Sequence, residues 1–597
     1  MDRCIRNDAG PFLGCRCVGS DRMQPLPSQP AVRQAPAFAL ADGVVILAVF
    51  SLLALLAHLG SEAMVSFHPP DDNPGLSLNP SNLPDYAARS TLRMLIALMA
   101  ATLFSLVYGW VAAHNRRAER LLVPLLDILQ SVPVLGFLSI TVTAFIALFP
   151  GSLLGLEAAS IFAIFTSQVW NMTFSFYQSL RTVPQELAEA ASLYQLSRWQ
   201  RFSRLELPAA AIPLLWNAMM SFGGGWFFLA ASEAISVLNR EYTLPGLGSY
   251  VAAAIKAQDM QALGWAALTM VAVIVILDQL FWRPLVAWSS RFRLEQTGTS
   301  DGGRSWFLDL LNQARIPRLL GQALTPLLDA VDTFFSALLG PTKLDEDEPN
   351  DPRRDHLFNI ILALFLGMLL VSLLHAVLTH LGLAEVGTTL LLGCLTLGRV
   401  MILLTVATLI WTPIGVAIGF HPALARLLQP LVQLLSSFPA NFIFPFATLL
   451  FIRAHLSLGW GAILLMAMGS QWYILFNAIA GSQTIPSDLR EMATSLNLVG
   501  WQRWRQLIIP GIFSTWVTGG VTASGGAWNA SIVSEVVSWG NTTLQAKGLG
   551  AYIAEATSQG DWPRIALGIA VMSLFVVGIN RVLWRPLYTL AEQRYHL

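Results

Sequence analysis

The chain has 597 residues, of which 54% are hydrophobic and only 12% are charged, and its mean hydropathy is +0.57. These values exclude an ordinary soluble domain and indicate a protein that crosses a membrane several times. The formal net charge is zero, so the composition indicates no nucleic acid or other general electrostatic partner.

Residues 1–36 precede the first long apolar run, and we predict that they form a disordered cytoplasmic tail. Three of the four cysteines lie here, as Cys4, Cys15 and Cys17. A closed zinc site needs four ligands, and no histidine accompanies this short cluster, so no metal site is predicted. The histidines elsewhere form no catalytic motif, and we predict no catalytic residues.

The rest of the chain divides into two halves, residues 37–287 and 357–597, with six apolar runs in each. Every run can cross roughly 30 Å of hydrocarbon, and helices are the natural spanning element because lipid cannot satisfy free backbone N–H and C=O groups. The sequence therefore predicts an all-α polytopic membrane protein with about twelve transmembrane helices. The runs lie near residues 40–60, 88–113, 121–149, 156–181, 209–238 and 262–285, and near 357–380, 388–416, 425–453, 457–482, 511–539 and 564–587.

The second half repeats landmarks of the first at a nearly constant spacing. The offset is 306 residues near the start of each half and 302 residues farther on. Such self-similarity indicates a tandem duplication, and an even number of spans in each copy gives parallel repeats related by a pseudo-two-fold axis. Matching pairs are Arg93 and Arg399 at the larger offset, and Trp199 and Trp501, Glu233 and Glu535, and Trp282 and Trp584 at the smaller one.

Arginine placement predicts the orientation, because basic residues stay on the cytoplasmic side of short loops. With both termini in the cytoplasm, the inner loops hold eleven arginines. The first external segment, Ser61 to Tyr86, holds no Lys or Arg.

Residues 288–356 connect the halves and must then be cytoplasmic. Their apolar side chains at 324, 327, 328, 331, 334, 335 and 338 fall on one face of a helix. We expect this amphipathic helix to lie at the membrane interface, and a docking surface for another protein is the alternative.

A loop with a fixed spacing from Glu to Pro lies between the fourth and fifth spans of each half. In the first copy, Glu186 and Glu189 fall in the early turns of a helix, where the helix dipole favours carboxylates. A break near Gln195 precedes a second helical segment. Each loop is therefore predicted to be a helix, a turn and a helix that project from the membrane. The remaining marked positions are Ala190, Ala191 and Pro208 in the first loop, and Glu491, Met492, Ala493, Asn497 and Pro510 in the second.

These loops resemble the Glu-Ala-Ala loops of the membrane permeases of bacterial ATP-binding-cassette (ABC) importers. The resemblance covers both halves, over about residues 85–285 and 390–590. Two features depart from it: Gln195 and Asn497 replace the usual glycine, and Met492 replaces the central alanine. Because asparagine adopts the left-handed conformation more readily than glutamine, we expect a looser turn in the first loop.

The resemblance implies a permease of the bacterial inner membrane whose two loops bind two separate ATPase subunits. Those partners would hold ATP and Mg²⁺, whereas this chain has no phosphate-binding P-loop motif and is expected to bind no cofactor. The fused halves would form the whole pathway without a second copy.

A finer resemblance, through residues 226–248 and 528–550, is to the nitrate, sulfonate and taurine importer class. That class carries small anions, such as nitrate, sulfonates including taurine, bicarbonate and carboxylates, and also some neutral pyrimidines. The resemblance therefore implies a small anion as the cargo and leaves its identity open. It also implies a periplasmic binding protein as a partner.

Charged residues inside spans are costly and indicate functional positions. Arg93 and Arg399, and Glu233 and Glu535, lie about 8 to 9 Å inside the external ends of their spans at 1.5 Å per residue. We predict two ion pairs, Arg93 with Glu233 and Arg399 with Glu535, at an external gate where the arginines attract an anion. The alternative is that the pairs only lock helices. Further pathway candidates are Trp226, Trp528, Ser131, Ser437, Asn171 and Asn529.

A twelve-span secondary transporter, driven by an ion gradient, would share the length, the hydropathy and the parallel repeats. It would not need two matched Glu-Ala-Ala loops, and its acidic residues would be expected nearer the bilayer midplane. We retain it as the alternative function.

Overall fold

The computed structural model describes residues 76–131, 134–237, 240–292, 305–340, 352–540 and 542–594, with a few residues between 42 and 50. The predicted tail and most of the span predicted near 40–60 lie outside these ranges. Within them, every long element is a helix, and two short β-hairpins are the only sheets. The predicted all-α class is therefore confirmed.

From residue 76 onward, the described part of the first half contains eight helices and one hairpin. A 3-10 turn, Pro80–Asn82, precedes the first helix, and another, Ser290–Phe292, follows the last. The elements are α1 (Leu83–His114), α2 (Arg116–Ser131), α3 (Val134–Leu148), α4 (Leu154–Arg181), α5 (Gln185–Leu193), α6 (Arg198–Glu233), β1 (Ala234–Val237), β2 (Arg240–Thr243), α7 (Leu247–Lys256) and α8 (Met260–Ser289).

Residues 305–340, the central described part of the linker, form two helices, α9 (Trp306–Gln313) and α10 (Ile316–Leu339). The second half then begins with one long helical element that bends at Gly382, where φ is 73°. Its elements are α11 (Pro352–Phe420), α12 (Pro422–Ser437), α13 (Phe444–Arg453), α14 (Leu458–Thr484), α15 (Ser487–Ser495), α16 (Gly500–Ser534), β3 (Val536–Trp539), β4 (Thr542–Gln545), α17 (Leu549–Gln559) and α18 (Trp562–Ala591).

Seven helices among the described residues are long and apolar enough to cross a membrane, by length and composition alone. They are α1, α6, α8, α11 from Leu381 onward, α14, α16 and α18. The helix α4 matches α14 in position and has 28 residues, which is about 42 Å of helix.

Two predicted spans, 121–149 and 425–453, are not continuous helices. In the second half, α12 ends at Ser437 and α13 begins at Phe444, with a 3-10 turn between them. Phe438 is extended, with φ −74° and ψ 123°, because the ring of Pro439 disfavours a helical conformation at the residue before it. In the first half, α2 ends at Ser131 and α3 begins at Val134. Each of these two predicted spans therefore corresponds to two successive helices.

The predicted spans 209–238 and 511–539 also end early. Their helices stop at Glu233 and Ser534, and antiparallel hairpins follow, with Ala234 opposite Thr243 and Val536 opposite Gln545. The hairpins were missed, although Val-Val-Ser-Trp-Gly-Asn-Thr-Thr at 536–543 is a β-branched and aromatic run around a Gly-Asn turn.

The two halves pack against each other reciprocally. In each half three long helices pack together, α1, α4 and α6 in the first and α11, α14 and α16 in the second. Between halves, β1 contacts α17 and β3 contacts α7, while α2 contacts α18 and α8 contacts α12. Because these four contacts form two exchanged pairs, an approximate two-fold axis relates the halves. Both hairpins therefore lie at one end, the hairpin end, and α5 and α15 lie at the other, the loop end.

Candidate functional site

At the hairpin end of the first half, Arg93 of α1 lies between two carboxylates. Its Nη1 atom donates to Glu233 Oε1 at 2.6 Å, and its Nε and Nη2 atoms donate to the two oxygens of Glu157, each at 2.6 Å. Nη1 also donates to the Pro245 carbonyl oxygen at 3.0 Å. Arg93 and Glu233 are buried, and such burial is tolerated only because both charges are paired and hydrogen-bonded.

The second oxygen of Glu233 contacts the N-terminus of α7. The backbone N–H of Gly248 donates to Glu233 Oε2 at 2.7 Å. Ser90 donates its hydroxyl to Glu233 Oε1 at 2.6 Å and accepts the N–H of Leu247 at 3.0 Å. A carboxylate here satisfies free N–H groups and interacts favourably with the helix dipole. Glu233 thus links α1, α6 and α7.

The second half has a corresponding network. Arg399 Nη1 donates to Glu535 Oε1 at 2.6 Å, and the N–H of Ala551 in α17 donates to Glu535 Oε2 at 3.1 Å. Thr396 donates to Glu535 Oε1 at 2.8 Å and accepts the N–H of Leu549 at 2.9 Å. Both predicted ion pairs are therefore present in the structure.

The hydroxyl residue of each network was not identified from the sequence. Ser90 and Thr396 each lie one helical turn before the arginine, and both follow the 306-residue offset. A repeated hydroxyl residue at that offset was the available signal. This signal is weak by itself, because a Ser or Thr in a span commonly bonds to its own helix backbone.

The two networks differ by one carboxylate. The counterpart of Glu157 at the 302-residue offset is Gly459. Arg399 Nε therefore donates to the Gly459 carbonyl oxygen at 3.2 Å, and Nη2 donates to the Lys547 carbonyl oxygen at 2.8 Å. The Arg399 side chain is 13% exposed, compared with 4% for Arg93. Arg93 thus has two carboxylate partners, and Arg399 has one.

The repeated Gly-Leu-Gly motif allows α7 and α17 to approach these carboxylates. A Cβ atom on Gly246 would clash with the carboxyl group of Glu233, and one on Gly548 would clash with that of Glu535. A Cβ on Gly248 would lie 2.7 Å from the backbone of Ala230. Only glycine permits such a close approach of backbone to its neighbour.

Gly246→Ala and Gly548→Ala are each expected to lower the thermal stability of the purified protein. The added Cβ would displace the glutamate from the helix N-terminus, and a buried charge short of hydrogen bonds costs about 1–3 kcal/mol or more. Gly264→Ala in α8 is the control, because its Cβ would meet nothing within 4 Å. Melting curves in detergent measure the effect, and equal midpoints for Gly246→Ala and Gly264→Ala would contradict the expectation.

A small cavity of about 40 Å³ lies between the halves. It is bounded by α6 of the first half and by the α12 to α13 break, α14 and α16 of the second. None of its lining residues is charged, and its polar groups are neutral hydroxyl, amide and backbone groups. Its lining residues include Gly223, Gly224, Ser436, Tyr473, Gly526 and Asn529.

The polar residues predicted for the pathway have different surroundings. Asn529 lines the cavity, and its Oδ1 atom accepts the N–H of Val134 across the two halves at 2.9 Å. Ser437 lines a smaller adjoining space. Asn171 accepts a hydrogen bond from Gln130 at 3.0 Å, within the first half. Ser131 is the last residue of α2, and its side chain lies outside the described part.

Trp226 and Trp528 do not line the cavity. Trp226 is buried edge-to-face against Phe222, with ring centroids 5.8 Å apart, and Trp528 is buried in a stack with Phe575 at 6.1 Å. Each lies seven residues before its glutamate and shares its helix face, but this face packs into the hydrophobic core. Both residues therefore contribute to packing rather than to the cavity wall.

At the loop end, α5 and α15 are followed by the same turn. Gln195 and Asn497 are both left-handed, with φ 52° and 53°. The N–H of Leu196 donates to the Ala191 carbonyl at 3.1 Å, and the equivalent bond of the second loop measures 2.9 Å. The looser turn expected for the first loop is not observed, because the same closing bond fixes both turns. Glutamine adopts this conformation at a cost of about 1–2 kcal/mol.

The outer faces of both loops are exposed in the described structure. Ala191 and Ala493 are buried against the body of the protein, whereas the carboxylates and the loop tips point outward. Large exposed apolar side chains at such tips are typical of surfaces that contact another protein or a membrane. The exposed residues are Glu186, Glu189, Leu193 and Tyr194 in the first loop, and Glu491, Met492 and Leu496 in the second.

Pro208 and Pro510 lie just after π-helical segments. Phe202–Glu206 precedes Pro208, and Trp504–Ile508 precedes Pro510. A proline inside a helix lacks an N–H donor, and a local π-helical turn accommodates the changed hydrogen-bond pattern. The conserved spacing from Glu to Pro within the chain thus fixes where each loop joins the fifth long helix of its half.

The loops are anchored to the body by different chemistry. In the first half, His114 and Glu206 approach to 2.9 Å. In the second half, the guanidinium groups of Arg490 and Arg503 lie over the ring of Phe420, at 4.7 and 5.5 Å from its centroid. Partial burial, and then the charge of Arg503, lower the pKa of Arg490 below its usual value.

Comparison with known proteins relates both halves to one family. The family described as binding-protein-dependent transport system inner membrane component matches residues 101–281 and again residues 411–584. Each match covers the loop, the network glutamate and the Gly-Leu-Gly motif of its half.

Individual relatives are more distant. The bicarbonate transport system permease protein CmpB of Synechococcus elongatus is 23% identical over 205 residues, which are 34% of this chain and 67% of the relative. The nitrate import permease protein NrtB of Leptolyngbya laminosa is 24% identical over 149 residues, 25% of this chain and 50% of the relative. The taurine transport system permease protein TauC of Escherichia coli is 27% identical over 207 residues, 34% of this chain and 70% of the relative.

Together the two family matches cover more than half of the chain, and they include both loops, both network glutamates and most of the duplicated helices. The secondary transporter retained as an alternative is therefore set aside. The chain belongs to the binding-protein-dependent transport system inner membrane components, and it is a tandem permease of the ABC importer class that carries the family's unit twice.

Proposed function

We propose that this chain forms the whole substrate pathway of an ATP-driven importer and couples it through α5 and α15 to two separate ATPase subunits. The observation that supports this most is the matched pair of loops. Each presents an exposed short helix and a left-handed turn, and each is followed by a π-helical segment that leads into a long spanning helix. Movement of either loop is thereby transmitted to α6 or α16.

In this proposal the loop end faces the cytoplasm, together with both termini. The ATPase subunits hold ATP and Mg²⁺ there, and this chain contributes transport rather than catalysis. A periplasmic binding protein delivers the substrate to the hairpin end.

The proposed cargo is a small anion. The relatives are named for bicarbonate, nitrate and taurine transport, and a sulfonate or carboxylate shares the same chemistry. The central cavity offers neutral donors and no charged side chain. Neutral donors suit a transport site because an anion that met a buried cation there would be slow to leave.

The ion-pair networks are proposed to form the external gate. Each joins the first long helix of its half to the helix that borders the cavity and to the short helix after the hairpin. Opening the gate would separate these elements and expose an arginine to the incoming anion.

The loops are tested by charge reversal. Full-length tagged protein is purified from its native membranes, and the ATP hydrolysis retained on it is measured. Glu189→Arg or Glu491→Arg is expected to lose about half of the retained activity, and the double variant about tenfold or more, as for an interface that loses its central contacts.

The matched control is Glu555→Arg, an exposed carboxylate of α17 at the hairpin end. It should retain the full ATPase activity. Undiminished ATPase activity on the double loop variant would refute coupling through these loops.

A further inference from the structure

The linker helix α10 packs on the first loop. The ring of Phe335 stacks on that of Trp199, with centroids 4.7 Å apart and planes inclined by 26°. Ser197 Oγ donates to Ser336 Oγ at 2.9 Å. Ser197 is also the N-cap of α6, because its hydroxyl accepts the N–H of Gln200. The linker therefore contacts the point where the first loop enters its spanning helix.

Two polar contacts extend this junction. The N–H of Arg198 donates to the carbonyl oxygen of Gly340 at 3.1 Å. Arg204 Nη2 donates to Asp332 Oδ2 at 3.2 Å. The C-terminal half of α10 is thus fixed to the first loop by a ring stack and three hydrogen bonds.

In the described structure, no linker helix packs on the second loop in the way that α10 packs on the first. Trp501, the counterpart of Trp199, is 71% exposed, and Val499 beside it is exposed as well. Gly500 is left-handed, with φ 55°, where the first loop has Arg198. The duplicated loops therefore present different surfaces at equivalent positions.

Next to its docked face, α10 carries an exposed apolar stripe. The side chains repeat at intervals of three and four residues, which places them along one side of the helix. They lie beside the face that bears Asp332, Phe335 and Ser336. The stripe consists of Leu324, Leu327, Val331, Phe334 and Leu338, and Phe334 is 63% exposed.

Helix length decides between lipid and protein as the occupant of this stripe. The helix α6 runs for 36 residues from Arg198 to Glu233, which is about 54 Å at 1.5 Å per residue. A bilayer with its headgroups is only about 40–45 Å thick, and a typical tilt of about 20° shortens α6 to about 50 Å. Glu233, the last residue of α6, lies below the membrane surface at the hairpin end, so the excess length of α6 extends from the membrane at the other end. Arg198 therefore lies beyond the headgroups at the loop end.

The same argument places Phe334 and Leu338 outside the lipid, because Gly340 bonds to Arg198. The interfacial position expected for this helix from its sequence does not fit its C-terminal half. These residues instead lie beside the exposed tip of the first loop. Tyr194, which is 79% exposed, is only three residues from Ser197, or at most about 11 Å along the chain.

We propose that Val331, Phe334 and Leu338 extend the docking surface of the first loop and contact the ATPase subunit that binds α5. This inference rests on the proposed function. At the second loop the ATPase subunit meets Trp501 and Val499 directly. The fused permease thus binds its two ATPase subunits through different surfaces and can distinguish one position from the other.

Site-specific photocrosslinking tests the proposal in the full complex. The photoreactive residue p-benzoylphenylalanine is placed separately at the positions of Phe334, Tyr194 and Leu103. Leu103 is an exposed residue within α1 and serves as the lipid-facing control. We expect the photoreactive residue to capture an ATPase subunit at positions 334 and 194 but not at position 103.

Capture at Tyr194 without capture at Phe334 would overturn this inference and leave the proposed function standing. Failure at both positions would overturn the proposed function as well. A binding measurement adds a second readout. The double variant Phe334→Ser and Leu338→Ser should bind the ATPase about tenfold more weakly than the wild type, as expected on removal of interface anchors. The control Asp329→Ser, at an exposed position of the same helix, should bind with wild-type affinity. Equal affinities for the double variant and for Asp329→Ser would contradict the proposal.

Discussion

Arg399→Met is expected to lower uptake of a small anion into proteoliposomes by about tenfold or more. The methionine cannot donate a hydrogen bond to the anion, and one hydrogen bond to a charged group is worth about 1.5–3 kcal/mol. Arg399 has one carboxylate partner where Arg93 has two, and it is the more exposed of the two arginines. The second network is therefore electrically balanced, whereas the first carries an excess negative charge that repels an anion. We expect the anion to enter on the side of Arg399.

A charge-balanced variant separates this role from simple helix locking. Combining Arg399→Met with Glu535→Gln removes both buried charges, and such replacements are often neutral for stability. The double variant should therefore recover the melting temperature of the wild type but not its uptake. Recovery of uptake along with stability would show that the pair only locks helices.

Arg93→Met provides the comparison in the first half. It leaves Glu157 and Glu233 without their cation, and an unpaired buried charge costs about 3–5 kcal/mol. We expect a larger fall in the melting temperature than for Arg399→Met, measured on the same detergent-solubilised preparations.

Gly224→Ala is expected to block transport with little effect on assembly with the ATPase. Its Cβ would lie 2.8 Å from the Tyr473 hydroxyl, inside the central cavity. The counterpart Gly526 is the matched control, because its Cβ would approach the Tyr473 ring only to 3.5 Å, an ordinary contact. Gly526→Ala should therefore transport at nearly the wild-type rate, and equal uptake by the two alanine variants would contradict the prediction.

Tyr473→Phe then distinguishes a steric effect from a direct contact with the anion. The variant removes the oxygen that the Gly224→Ala Cβ would meet, so it relieves the clash. We expect uptake to remain low in Tyr473→Phe alone and in the combination, because the cavity has few donors and no cation to replace the hydroxyl. Wild-type uptake by Tyr473→Phe would exclude the contact.

The counterpart of Tyr473 at the 302-residue offset is Asn171, which bonds to Gln130 within the first half. The cavity is therefore asymmetric even though the backbone repeats. Together with the Glu157 to Gly459 difference and the one-sided linker helix, this indicates that the two halves share a fold and have diverged in chemistry. Fusion into one chain permits such divergence, because each half always meets the other.

The sequence by itself determined the duplication, the helical class and the positions of both loops. Apolar run length reports the depth of a residue along the membrane normal, and equal depth was enough to pair Arg93 with Glu233 and Arg399 with Glu535. The spacing from Glu to Pro was enough to locate two equivalent loops. These features depend on spacing along one helix or on residue types that favour or end a helix. Both kinds of information are contained within one continuous segment of the chain.

Only the tertiary structure decided which neighbours each helix face meets. In the tertiary structure, Arg93 meets a second carboxylate from α4. The side chains of Trp226 and Trp528 pack into the hydrophobic core, and those of Tyr473 and Asn529 line the cavity. The tertiary structure also placed α10 against the first loop alone. Rotation of a helix about its axis and the choice of its neighbours depend on contacts between segments far apart in the chain. Periodicity within one segment identifies an apolar or polar face, but it does not specify the partner that this face will contact.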